Sequence, residues 1–172
     1  MKRISRVLLC LVMLMGCTKA KTRTEVIDVL KDNGFSKNTA GFYELQEDRT
    51  VFRIGYRSTY QNYTESLYSI FGEGPVITMD VLNDGVYNYQ INEDLMYYSY
   101  VCSSEETKET ARTEIAYKYN DDDFIIGING CSYDTTNQDN LIETFKDKRE
   151  IALQKMDTLG LTKKDLNNLK QE

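Results

Sequence analysis

Histidine and tryptophan are absent from this 172-residue chain, and proline occurs once, at Pro75. Without histidine there is no Ser-His-Asp or Cys-His catalysis and no imidazole metal ligand. No long Gly/Ser-rich linker and no internal repeat divides the sequence. Positive charge is in the minority: 21 Lys and Arg stand against 27 Asp and Glu, a net −6. A chain this acidic lacks the basic footprint of nonspecific nucleic-acid binding. The longest apolar run, Val7 to Met15, is far short of the roughly 20 residues a membrane-spanning helix needs. What is present is an ordinary globular composition, 41% apolar, so disorder is not expected. Tyrosine is abundant, with 13 residues.

The first seventeen residues have an order of their own. Lys2, Arg3 and Arg6 give a positive start, Val7 to Met15 is unbroken apolar, and small Gly16 precedes Cys17. An apolar stretch of this length fits the core of an export signal, about 7–15 residues. Leu14-Met15-Gly16-Cys17 resembles the lipobox of bacterial lipoproteins. The resemblance implies a thioether-linked diacylglycerol on Cys17 and cleavage just before it. One acyl chain holds a protein marginally, whereas two anchor it stably. The competing reading, an ordinary cleaved signal with an incidental cysteine, is weaker because Leu-x-Gly-Cys stands at the right distance from the charged start.

The expected organisation is a signal peptide over 1–16, a lipidated tether over 17–21 and a single domain over 22–172. Loss of three cations and no acid with the signal takes the charge from −6 to −9. Thr18 to Lys21 is a short tether, reaching about 13 Å when extended. Lys19, Lys21 and Arg23 are placed to rest against anionic headgroups, or simply to aid solubility.

The cysteines divide by position. Cys10 leaves with the signal and Cys17 takes the lipid, so Cys102 and Cys131 remain as an exported pair. Such a pair reads as a disulfide, with two buried thiols as the alternative. In a simple meander the strands carrying them lie about 9.6 Å apart. A disulfide needs Cα atoms within about 6.8 Å. Either Cys102 or Cys131 lies past its strand end and curls over, or the strand order is not sequential; the small neighbours Ser103, Gly130 and Ser132 favour the first.

Local patterns give an α+β fold. Thr22 and Glu25 form a capping box for a short N-terminal helix with Val26, Ile27 and Leu30 on one face. Gly34 stops it as a left-handed cap, with Phe35 folding back. Tyr43 and Leu45, then Phe52, Ile54 and Tyr56, alternate with polar neighbours around the turn Glu47-Asp48-Arg49. Residues 58–74 are ambiguous. Ile77, Met79 and Val81 lead through Asn83-Asp84-Gly85 into Tyr87, Tyr89 and Ile91, with Asn88 and Gln90 opposite. Leu95 to Cys102 is a further strand. A polar loop from Ser103 to Arg112 precedes Ile115, Tyr117 and Tyr119, and Phe124 to Ile128 closes the series. Short connections imply antiparallel pairing. Residues from about 137 to 158 carry Leu141, Phe145, Ala152, Met156 and Leu159 at helical spacing. Thr162 with Asp165 caps a last short helix, stapled by Leu161 and Leu166. The expectation is one twisted antiparallel sheet of six or seven strands, packed against a long C-terminal helix.

No cofactor or metal is expected. Asp121-Asp122-Asp123 is the densest acidic cluster, but a calcium loop spaces its ligands at alternate positions around a glycine. A solvated hairpin turn is the better reading. Ser103-Ser104 lacks the glycines of a nucleophile elbow and reads as loop. The candidate binding residues are tyrosines: Tyr98 and Tyr100 on one strand face, with Tyr97 opposite, and Tyr60 and Tyr63 in the ambiguous segment. If one sheet face is open, such rings offer flat area and a hydroxyl for glycan or protein recognition. If the C-terminal helix covers one face and the 58–74 segment the other, they are core. Beyond the lipobox, the chain is similar in overall character to small surface lipoproteins of unassigned function, which carries over no active site. The expected role is a non-catalytic, membrane-tethered binding or accessory domain on the extracytoplasmic face, with a protein, peptide or envelope glycan as ligand. The alternatives are a carboxylate-dependent envelope hydrolase and a lipid carrier with an apolar cavity.

Overall fold

The computed structural model describes residues 19–58, 72–82, 84–103, 110–121, 123–129 and 138–170. Of these, the side chains of 100–103, 110–113, 123–129 and 138 are outside the description. The signal, Cys17, Tyr60, Tyr63 and Cys131 lie outside the described residues.

The chain is α+β. Helix α1 (Arg23–Asp32) leads into strands β1 (Ser36–Lys37), β2 (Tyr43–Glu47), β3 (Thr50–Arg57) and β4 (Gly74–Val81). Strands β5 (Gly85–Gln90), β6 (Leu95–Ser103), β7 (Thr110–Lys118) and β8 (Asp123–Asn129) follow, then helices α2 (Gln138–Thr158) and α3 (Lys163–Asn167). The sheet is a simple antiparallel meander in the order β1 to β8. β1 is a two-residue addition at one edge that the sequence does not signal. A strand this short leaves little unpaired backbone there to template association.

The expected local signals are in place. Thr22 caps α1 and Glu25 reciprocates on its backbone. Gly34 takes φ 85°, a conformation that favours glycine, and the Phe35 amide returns to the Leu30 carbonyl. Thr162 and Asp165 repeat the box on α3, with Leu161 and Leu166 both buried beside it. The polar stretch after β6 is a shorter interruption than expected. β6 runs through Ser103 and β7 starts at Thr110, pairing with it. Backbone pairing there overrides the side-chain polarity that suggested a loop from Ser103 to Arg112.

In-register rows explain the core. Tyr43, Ile54, Ile77, Tyr89, Met96 and Tyr117 form one row across six strands. Phe52, Met79, Tyr87, Tyr98 and Ile115 form the next. Because side chains alternate along a strand, both rows lie on one face. Val26 and Leu30 of α1, Leu141, Phe145, Ala152 and Met156 of α2, and Leu166 of α3 join this same cluster. The helices therefore share one face of the sheet, as the stripe-on-face expectation required. Among the described residues no helix is long and apolar enough to cross a membrane.

β8 ends at Asn129, two residues short of Cys131. Cys102 lies inside β6 opposite Ala111, and Cys131 is outside the described residues.

Candidate binding cleft

Tyr98 stands directly opposite Tyr87 on the helix-covered face. The rings lie 4.9 Å apart between centroids at 31°. The Ile91–Asp94 turn produces this pairing by bringing β6 back along β5, and it has a steric condition. A Cβ added at Gly85, whose φ is +88°, would stand 2.5 Å from a Tyr98 ring carbon. The ring lies flat against the glycine backbone because no side chain is there.

Helix α2 forms the opposite wall. Phe145, fully buried, meets Tyr87 edge-on at 6.5 Å and stacks on Tyr117 at 6.2 Å and 9°. One turn on, Lys148 places its ammonium 5.1 Å from the Tyr87 ring centre and 3.7 Å from Asp84. The result is an open cleft of about 520 Å³ with Tyr87, Tyr98 and Leu141 as its apolar part. Asn140, Thr144, Asp147, Lys148 and Asp84 supply polar groups, and Ile151, 40% exposed, marks the outer edge. An aromatic floor with a few polar groups around it is a common composition of ligand clefts of this size.

Of the tyrosines singled out from sequence, Tyr98 reaches this cleft. It is half-buried at the border of α2 rather than spread on an open sheet face. Tyr100 lies two positions on along β6, with its side chain outside the described residues. Tyr97 points the other way and is fully buried. The structure adds Tyr87, Lys148 and Asp84. Tyr87 was legible as a strand residue, but its pairing with Tyr98 depends on the turn register. Lys148 was hidden because it flanks the α2 stripe at Phe145+3.

A second cluster closes the cleft-bearing face further along. Arg149 binds Asp94 through two hydrogen bonds, 2.6 and 3.0 Å. Its guanidinium lies 5.0 Å from the Tyr119 ring centre and 5.8 Å from that of Tyr89. The Tyr89 hydroxyl donates to Asp94 at 2.5 Å. Burial, and then the bond to Asp94, push the Tyr89 phenol well above the usual range. Burial does the same to Tyr119 against the neighbouring Arg149 charge. Asp94 holds φ 52° in the β5–β6 turn, a conformation that aspartate tolerates better than most residues. This cluster fastens α2 to the sheet.

The face away from the helices is also buried at its centre, where polar groups stand among Val76, Leu95, Tyr97 and Ala116. Arg57, Asn88, Gln90, Ser99 and Glu114 are all buried. Asn88 accepts from Arg57 Nη2 at 3.2 Å and from the Thr78 hydroxyl at 2.8 Å. The 58–74 segment proposed as its cover lies almost wholly outside the described residues.

Every carboxyl group among the described residues with a displaced pKa is displaced downward. Glu25 is lowered by hydrogen bonds to Thr22, and Glu73 by hydrogen bonds from Lys170 and Tyr56. Burial works against the charged form of Asp165, but hydrogen bonds from Thr162 and Lys21 outweigh it. Among the described residues no three Cys, Asp or Glu side chains gather as a metal site. The Asp121–Asp123 cluster falls at the β7–β8 connection, with Asp121 exposed and Asp122 outside the description. Comparison with protein-family models, curated proteins and solved structures finds no match.

Proposed function

We propose that this chain is a membrane-anchored extracytoplasmic lipoprotein acting as a non-catalytic binding or accessory domain. The cleft between β5–β6 and α2 is its recognition surface, and a peptide, protein segment or envelope glycan is its ligand. The observation that carries the reading is the Tyr87–Tyr98 floor bordered by Lys148, Asp84, Asn140 and Thr144. Aromatic rings supply contact area at low entropic cost, and the surrounding donors and acceptors select orientation.

The anchor half of the proposal rests on Leu14-Met15-Gly16-Cys17. Mass spectrometry of the mature protein should find Cys17 as the N-terminus with a diacylglyceryl group, and an unmodified Cys17 would contradict it. The Cys102–Cys131 bond is proposed with it. Denatured, unreduced mature protein should show no reactive thiol, and two would remove the bond. The recognition half is tested by a crosslinking pull-down from intact cells with the lipidated protein as bait. Capture of a reproducible envelope protein or glycan that is lost in Tyr98→Ala supports the cleft, and capture unaffected by that change rejects it.

A further inference from the structure

The start of the described chain is pinned, not loose. The Lys21 amide donates to Asp165 at 2.6 Å, and Asn168 donates to the Lys21 carbonyl at 2.6 Å. Lys21 Nζ is itself occupied, bonding the Gly160 carbonyl at 2.6 Å. Lys21 thus belongs to the fold, and its ammonium is turned to the end of α2 rather than toward a headgroup. Only residues 18–20 then separate Cys17 from a fixed backbone point, a reach of about 10 Å.

Beside that point lies an open cleft of about 920 Å³ between the start of α1 and the end of α3. Lys19, Arg23 and Lys170 line it with Ala20, Thr22, Asn167 and Asn168, and no carboxylate does among the described residues. Lys170 is paired with Glu73 at 2.5 Å. Among the described residues, neither Lys19 nor Arg23 has a carboxylate at salt-bridge distance. This is a basic pole on a chain with 27 acidic residues. The Glu25 carboxylate, bonded to Thr22 N at 2.6 Å, is the acidic neighbour that Lys19 and Lys21 feel there.

We infer that this basic cleft docks on anionic phospholipid headgroups of the membrane that holds the anchor, fixing the orientation of the domain. The inference rests on the proposed lipidation of Cys17. A pinned Lys21 and a three-residue tether hold the cleft within reach of the bilayer, where each cation gains from the negative surface potential. The acidic remainder of the domain is repelled by the same surface, so the contact is made one way round.

The test is hydrogen exchange by mass spectrometry on the lipidated mature protein. It is reconstituted in vesicles of phosphatidylcholine alone and in vesicles containing phosphatidylglycerol. Amides of residues 19–24 and 166–170 should exchange more slowly with phosphatidylglycerol present, and the difference should vanish at high salt. Lys19→Gln and Arg23→Gln should each weaken docking about fivefold at low ionic strength while leaving the protein vesicle-bound. A lipidated protein with equal exchange in both vesicles overturns the docking alone. An unmodified Cys17 overturns the anchor and the docking together.

Discussion

The two faces of the sheet are both buried at their centres but are built from different chemistry. The helix-side face carries Tyr43, Ile54, Ile77, Tyr89, Met96 and Tyr117 in register, sealed by Phe145 and its neighbours. The opposite face mixes Val76, Leu95, Tyr97 and Ala116 with Arg57, Asn88, Gln90, Ser99 and Glu114. Burial on the first follows from apolar area removed from water. On the second, the polar groups set among buried apolar ones also need hydrogen bonds that replace those lost to solvent, because a polar group buried without a partner is costly. The comparison teaches that alternation in a strand reports chemistry by face, not exposure by face.

Substitutions break that comparison to different depths. The deepest is Phe145→Ala. It removes the ring that joins Tyr87 to Tyr117 at a fully buried position. Urea denaturation should register a loss of about 3–5 kcal/mol, and a loss under about 1 kcal/mol would mean that α2 is not seated there. Next is Asn88→Ala on the polar face. It takes away the acceptor shared by Arg57 and Thr78 and should cost about 1–3 kcal/mol. If that face were solvated, the same change would fall within about 0.5 kcal/mol.

The Thr162–Asp165 box sharpens the contrast between local and tertiary polar contacts. Asp165 accepts from Thr162 at 2.7 Å and also from the Lys21 amide at 2.6 Å. Its folded-state pKa is lowered, so it stabilises the fold above its unfolded value, near 3.9. That contribution is lost as pH falls through the lowered value. Asp165→Asn should cost about 1–2 kcal/mol at neutral pH and flatten the acid limb of a stability–pH curve. A curve parallel to wild type below pH 4 would mean that the carboxylate charge does not matter. The smallest effect belongs to Lys148→Gln. Its pair with half-exposed Asp84 is long, at 3.7 Å, so stability should change by less than about 1 kcal/mol. Any effect of this substitution should appear in ligand capture instead.

The legibility of the fold follows the same division. Both capping boxes, the Leu161–Leu166 staple, the Gly34 stop and the α2 stripe are local signals, and each specifies its own element. Outside the long connection between β3 and β4, the meander follows from turns too short to permit anything but antiparallel return. The polar face was not legible. Asn88 and Gln90 sit where a one-sided sheet would place solvent-facing residues, and nothing within a strand records that the second face is covered. Lys21 likewise reads as tether, since its bonds to Asp165 and Asn168 span 144 and 147 positions of sequence. The cleft was half legible: Tyr98 stood out as an aromatic on a strand. Its partners Tyr87, Lys148 and Asp84 join it through strand register and helix docking.

The most direct test of the account places a photo-crosslinking residue at Ile151, on the edge of the tyrosine cleft, or at Asp80, on the opposite face. Each protein is irradiated in intact cells with Tyr98 present or replaced by alanine. The account predicts one reproducible envelope species crosslinked from Ile151, absent from Asp80 and lost with Tyr98→Ala. Capture from Asp80, with Ile151 silent or indifferent to Tyr98, would contradict it and move recognition to the other face of the sheet.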